Sequence, residues 1–244
     1  KRPKHGVEWG AAIGKQKPRA LSLELYAVCA MFEPGTPTKN LLFSPVTVSG
    51  GMPSSHLNLT GIPRKIKDSC ADIYNFVQKW NKLNVNGTLL MNKIASEKIR
   101  SLESKANDIQ DQTEPEPFDC RSEKISDLCS LLLDVWKEME EQVNKVAAIR
   151  DNLEAVAQLD EQRGDSDDVP FQTWPVRRFY ETSEKIVAAY SKELDVKKCL
   201  LEDVAHGKDS EVLSFLVTTW TYDPYIDDDC KLCIEAMVTE VGFK

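Results

Sequence analysis

The densest grouping of metal- and redox-competent side chains is Cys230-Lys-Leu-Cys233, which follows Asp227, Asp228 and Asp229 directly. Two thiolates at this spacing can grip a zinc ion or cycle through a disulfide. Tetrahedral zinc needs four nitrogen or sulfur ligands, usually as two pairs, and the chain offers no second pair. Aspartates in a row are explained by a helix N-terminus, where the macrodipole favours negative charge. The reading is therefore no metal and no cofactor. Nucleophilic catalysis fares no better. Of the three histidines, His5 and His56 fall in a tail-like region, so a Ser-His-Asp or Cys-His arrangement would rest on His206 alone. His206 is explained as a helix-end residue interacting with terminal carbonyls. Neither GxxxxGK[ST] nor GxGxxG occurs, which removes the usual phosphate cradles. Carboxylates abound, but on highly charged helices they form a solvated face, so no catalytic residue is assigned and no enzymatic activity is expected.

Recognition chemistry is better represented. FQTWPVRRFYE, residues 171–181, places Trp174, Arg177, Arg178, Phe179 and Tyr180 within two helical turns, and Trp220 and Tyr225 follow later. Tryptophan, tyrosine and arginine dominate interface hot spots, because each combines a large apolar area with a polar handle. The same residues could equally fill a helical core. Locally the stretch reads as a helix start: Thr173 as N-cap, Trp174 and Pro175 in the first turn, and Phe171 stapled over Val176 or Arg177. Near the beginning of the chain, Thr36-Pro37-Thr38-Lys39 and Ser44-Pro45 match proline-directed phosphorylation sites, and Arg19-Ala-Leu21-Ser-Leu23 has the form of a cyclin-docking motif. Phosphate on Thr36 or Ser44 would add close to two negative charges to a segment with basic residues to answer them.

The elements that must position these side chains are helical. Residues 1–62 hold repeated prolines with Gly, Ser and Thr between them, which disfavours a packed core, and a disordered tail is expected. From Arg64 onward Cys70, Ile73, Val77 and Trp80 recur every three or four residues, predicting a helix to about Leu83. Asn84-Val-Asn86-Gly87 predicts a break, and Thr88 to Ser104 a second helix. The strongest periodicity runs through Ile125, Leu128, Leu132, Val135, Met139, Gln142, Val146, Ile149, Leu153 and Val156. It makes a coiled-coil seam on a helix over 120–163 that stops at Arg163-Gly164. A stripe of Tyr180, Val187, Tyr190, Leu194, Leu201 and Val204 marks the next helix. Two shorter ones follow, about 210–220 and 227–241, joined at Asp223-Pro224. No sustained period-two alternation occurs, so no sheet is expected. The fold class is all-α: long antiparallel helices in an elongated coiled-coil-like bundle over residues 63–244 (63–105, 120–163 and 173–242), with short C-terminal helices.

Net charge is −8 over the chain, although residues 1–19 carry a basic surplus. An acidic body argues against direct nucleic-acid binding. LSLELYAVCAMF, residues 21–32, is too short for a membrane crossing, which needs about 20 apolar residues. Seven cysteines, an odd number spread over expected helices, suit a reducing compartment, cytosol or nucleus. The chain opens without Met, so a fragment or an uncertain start is expected.

On two blocks the chain resembles the cyclin-dependent kinase 2-interacting protein family. One is RKIKDSCADIYNFVQKWNKLN, Arg64 to Asn84. The other, longer and more specific, spans 171–242 with TWP, FYE, YSKEL, Ala205-His206, Trp220 and Pro224-Tyr225. Between the blocks only the acidic helical character is similar, and residues 1–60 look unlike the family. The resemblance implies a non-enzymatic, mostly helical nuclear adaptor associated with cyclin-dependent and replication kinase complexes and with a checkpoint kinase partner protein. It also implies a subunit of an AAA+ ATPase complex acting in chromatin protein turnover, genome maintenance and large ribosomal subunit maturation. Trp174, Arg177, Arg178, Phe179, Tyr180, Trp220 and Tyr225 are the expected partner-binding set. The alternative is a structural coiled-coil tether of the kinetochore or trafficking type.

Overall fold

The computed structural model describes residues 60–107, 118–164 and 169–243. The expected disordered tail, with Thr36, Ser44 and the cyclin-docking motif, lies outside these residues. Five helices account for the described chain: α1 Ile62–Asn107, α2 Phe118–Arg163, α3 Val176–Val204, α4 Ser210–Tyr222 and α5 Asp228–Glu240. No strand occurs among the described residues.

Helices α1 and α2 each have 46 residues, about 70 Å at 1.5 Å per residue. Helices of that length must lie along one another to bury their apolar stripes. Helix α2 runs antiparallel to both neighbours and packs along each. Lys124 pairs with Glu97 of α1, and the Trp136 indole donates to the Leu194 carbonyl of α3 at 3.2 Å. The expected seam is its buried face: Leu132, Val135, Met139, Gln142, Val146, Leu153 and Val156 are inside, with Ile125, Leu128 and Ile149 half-buried. It closes against α1 and α3 of the same chain.

Helices α1 and α3 run parallel, locked where Tyr190 meets Phe76 and Trp80 edge-on at 4.8 and 5.0 Å between ring centres. On the side away from α2, α4 returns along α1, and α5 returns along α3. Together α4 and α5 act as a fourth, interrupted helix. The interruption is Asp223, whose left-handed φ of 47° ends α4, followed by Pro224, which cannot continue it. Asp209 and Asp227 cap α4 and α5, accepting from Glu211 N–H at 3.0 Å and Cys230 N–H at 2.8 Å.

Two local expectations are overturned. Asn84-Val-Asn86-Gly87 does not break the chain, because α1 continues through it to Asn107. Tertiary contacts explain both residues. Asn84 accepts from Lys197 and donates to Asp223, each at 2.8 Å, while Gly87 leaves room for the Trp220 ring, which a Cβ would meet at 2.5 Å. Thr173 is not the N-cap of α3. That position falls to Pro175, which has no side-chain cap, and the Thr173 hydroxyl donates instead to Glu240 at 2.8 Å. The α3 stripe also differs in part. Tyr180 and Leu201 are half-buried, while Ile186, Glu193, Lys197 and Leu200 fill the core positions.

Candidate functional site

The segment entering α3 is held from a distance. Glu240, at the end of α5, accepts from the backbone N–H groups of Gln172, Thr173 and Trp174 and from the Thr173 hydroxyl. Burial pushes the Glu240 carboxyl up, but these donors outweigh it and hold the group below the ordinary glutamate value. A carboxylate at this helix entrance does the work of a cap supplied by another element.

Helical phase then divides the quoted residues. Val176, Phe179, Thr182 and Ser183 face inward, and Arg177, Arg178 and Glu181 face water. The Phe179 ring packs against Trp174 at 5.2 Å and Phe171 at 5.8 Å between centres, so Phe171 folds back onto the first turn of α3 at Phe179. Arg178 stacks its guanidinium 4.8 Å from the Trp174 ring centre. Arg177 reaches Glu161 of α2 at 2.6 Å and Glu181 at 3.1 Å, and these hydrogen bonds raise its affinity for its proton.

An open groove of about 520 Å³ runs beside this segment, between the first turns of α3 and the outer face of α5. Arg177, Arg178 and Lys185 form one side, and Leu232, Cys233 and Ala236 the other. Sequence reasoning did not assign Lys185 or Leu232 to a site. The available signal for Leu232 was an apolar residue at an outward position of a short helix, 63% exposed in the fold.

Of the seven expected contact residues, Trp174, Phe179 and Trp220 are buried and serve packing. Trp174 also lines the groove beside Arg178, while Phe179 and Trp220 have no exposed surface. Arg177 and Arg178 line the groove, whereas half-buried Tyr180 is not part of its lining and lies within the influence of Glu154 and Arg150 of α2. Tyr225 is half-buried in the α4–α5 turn, with its N–H donated to Glu193 at 2.9 Å. The set is thus divided between two places.

The second place is a charged core. Lys197 is fully buried, with its ammonium 2.6 Å from Asp223, 2.7 Å from the Trp220 carbonyl and 2.8 Å from the Asn84 amide oxygen. It lies 3.6 Å from Glu193 and 4.6 Å from the Trp220 ring centre. Burial pushes the Glu193 carboxyl up to about 7 against the opposing pull of Lys197, and burial raises Asp223 as well. A protonated Glu193 leaves Lys197 and Asp223 as a neutral pair. The cluster satisfies the last carbonyls of α4: Lys197 serves Trp220, and the Asn84 amide serves Thr221 at 3.3 Å.

Cys230 is buried, its thiol pushed up to about 12 by burial, so it is a packing residue rather than a reactive thiolate. Among the described residues no group of three or more His, Cys, Asp or Glu side chains converges on a metal-sized site. His206 lies exposed just beyond α3, where the terminal carbonyls of Ala205 and Gly207 accept from Lys98.

No family model matches the chain. Three curated proteins, each called cyclin-dependent kinase 2-interacting protein, are similar to it. That of Xenopus laevis is 34% identical over 191 residues, covering 76% of this chain and 92% of its own length. Those of Bos taurus and Homo sapiens are 31% and 30% identical, each covering 74% of this chain and 90% of their own. The similarity covers about three quarters of this chain and nine tenths of each relative. The chain belongs to the cyclin-dependent kinase 2-interacting protein family.

Proposed function

We propose that this chain is a non-enzymatic nuclear adaptor that binds cyclin-dependent kinase 2 and bridges replication and checkpoint kinases to an AAA+ ATPase complex. In that complex it would serve chromatin protein turnover, genome maintenance and large ribosomal subunit maturation. Kinship with proteins named for interacting with cyclin-dependent kinase 2, over about three quarters of the chain, carries the reading. The exposed arginines at the α3 entrance, backed by Trp174 and Phe179, give such an adaptor a rigid contact surface. A tether that pairs through its seam would need that seam free, whereas the α2 stripe is covered by α1 and α3.

Affinity purification of the tagged full chain from nuclei, followed by mass spectrometry, tests the reading. Kinase and ATPase subunits are expected with the wild type. Their capture should fall for Arg177→Glu combined with Arg178→Glu at unchanged helicity. Recovery of elongated coiled-coil proteins alone would favour the tether, and undiminished capture by the double variant would reject this surface.

A further inference from the structure

We propose that the groove between α3 and α5 is the docking site for an acidic linear segment of a partner protein that carries one large apolar side chain. The inference rests on the adaptor reading and names the chemistry of what the adaptor grips.

Charge argues first. The chain is net −8, yet the groove lining holds three basic residues, Arg177, Arg178 and Lys185, against Glu181 alone. Arg177 already serves Glu161 and Glu181, which also neutralises the one acid. Arg178 and Lys185 are left as the positive charges on offer, and among the described residues no carboxylate pairs with either. Seven residues apart on one helix, they lie about 10 Å from each other along the axis, the reach of three extended residues. Arg178 is prepared for a carboxylate, because its guanidinium is held over the Trp174 ring, 4.8 Å from the ring centre, and a guanidinium on an aromatic face can still donate to an acid at its edge.

The opposite wall supplies the apolar half. Leu232 is 63% exposed although its helix has buried positions to spare, and Ala236 follows one turn later on the same side. A large apolar side chain inserted between Leu232 and the Trp174–Pro175 edge would be dried, with Arg178 and Lys185 as the charged rim. That is the arrangement of a hot spot inside a polar ring. A volume of about 520 Å³ takes a few side chains, not a folded domain, so a short segment is the fitting occupant. A basic or nucleic-acid-like partner is the wrong match, since the first meets like charge and the second has no apolar anchor.

The test is an array of decapeptides with a central Leu or Phe flanked by Asp and Glu, beside Ser-flanked and Lys-flanked counterparts, probed with the folded full chain. Acid-flanked peptides should be retained and the others not. The best of them, measured in solution by fluorescence anisotropy, should weaken about tenfold or more for Arg178→Glu with Lys185→Glu. It should weaken likewise for Leu232→Asp, and on raising salt from low to high. Lys137→Glu, on the exposed face of α2, should bind as wild type. All the substituted side chains are exposed, and circular dichroism checks that each variant folds. Equal binding of Ser-flanked peptides, no binding of any peptide, or full binding by the double variant would overturn the proposal. Two further outcomes would also overturn it by naming another occupant: binding that appears only after residues 1–59 are deleted, or a dimer of the full chain that Leu232→Asp dissolves. Should nuclear partners still be captured while no peptide binds, this inference fails and the adaptor reading stands.

Discussion

Gly87→Ala is expected to destabilise the protein, although the same change at an exposed helical position stabilises. Replacing Gly by Ala inside a helix gains about 1 kcal/mol, because Ala loses less backbone freedom on folding. Here a Cβ would lie 2.5 Å from Trp220 Cζ2 and 2.6 Å from Cε2 and Nε1, roughly an ångström inside normal contact. The obstacle is a rigid ring with no exposed surface, bounded on another side by the Lys197 ammonium 4.6 Å from its centre. Overpacking of that kind costs about 1–3 kcal/mol. A contact this short with a rigid ring calls for the upper half of that range, so the helix gain leaves a net loss of roughly 1–2 kcal/mol, or about 2–8 °C in midpoint for a body of this size. Urea unfolding followed at 222 nm measures it, with Asn86→Ala, one residue away on the exposed face, as the helix-propensity control. Trp220→Phe should harm the wild type more than it harms Gly87→Ala, because the smaller ring makes room for the new methyl. A coupling of at least about 0.5 kcal/mol is expected in the double-mutant cycle. A Gly87→Ala protein as stable as wild type, or strict additivity with Trp220→Phe, would refute the contact as the reason for the glycine.

Three further outcomes follow from the buried charges. Lys197→Met strands Asp223 and Glu193 in the core, and the loss of one partner from a buried ion pair should cost about 3–5 kcal/mol in chemical denaturation. The Glu193 carboxyl is raised from the ordinary 4.5 to about 7. Its contribution to stability is therefore full below about pH 4.5 and lost as pH rises through 7. Glu193→Gln should flatten the stability profile between those values, and an unchanged slope would count against a protonated Glu193. Glu240→Ala removes the acceptor for three backbone N–H groups and a hydroxyl. It should destabilise by about 1–3 kcal/mol, with faster amide exchange confined first to residues 172–174. Because the Glu240 pKa is depressed, its contribution is present above the ordinary glutamate value and lost on acidification, opposite in sign to that of Glu193.

The elements that repeat were legible, and those fixed by a distant residue were not. The α2 seam could be read because one apolar residue every three or four positions carries the message many times over, and its end at Arg163-Gly164 agrees with the φ of +78° at Gly164. The α4–α5 junction at Asp223-Pro224 was readable because proline enforces it locally. Asn84 and Gly87 misled, since locally they are helix enders, and only Lys197, Asp223 and Trp220, more than a hundred positions away, explain why they stay helical. Thr173 was misread for the same reason, its orphan amides being served by Glu240. Of the site, the Arg177-Arg178 surface was visible as aromatic and basic residues in one short stretch. The burial of Trp174, Phe179 and Trp220 was not legible, because residue type cannot tell a hot spot from a core ring. Lys197 carried a signal in plain sight: a lysine standing where the α3 stripe calls for an apolar residue.

The charged core and the groove are consequences of one interruption. A continuous fourth helix would satisfy its own carbonyls and would need no lysine inside. Breaking it at Asp223 leaves the last carbonyls of α4 without helical partners, that of Trp220 in the buried core, where an unmade hydrogen bond is expensive. Lys197 and Asn84 answer them, and Asp223 and Glu193 balance the lysine, with Glu193 also holding the Tyr225 amide that starts the next segment. In exchange α5 is released from the direction of α4 and lies against the start of α3, with Glu240 clasping the entrance and Leu232 turned outward opposite Arg178. The buried ion pairs thus act on geometry more than on net stability, since such pairs seldom outperform a well-packed apolar core. Apolar replacement of the whole cluster would be expected to keep a folded bundle while loosening the angle between α4 and α5. The groove would then be lost before the fold.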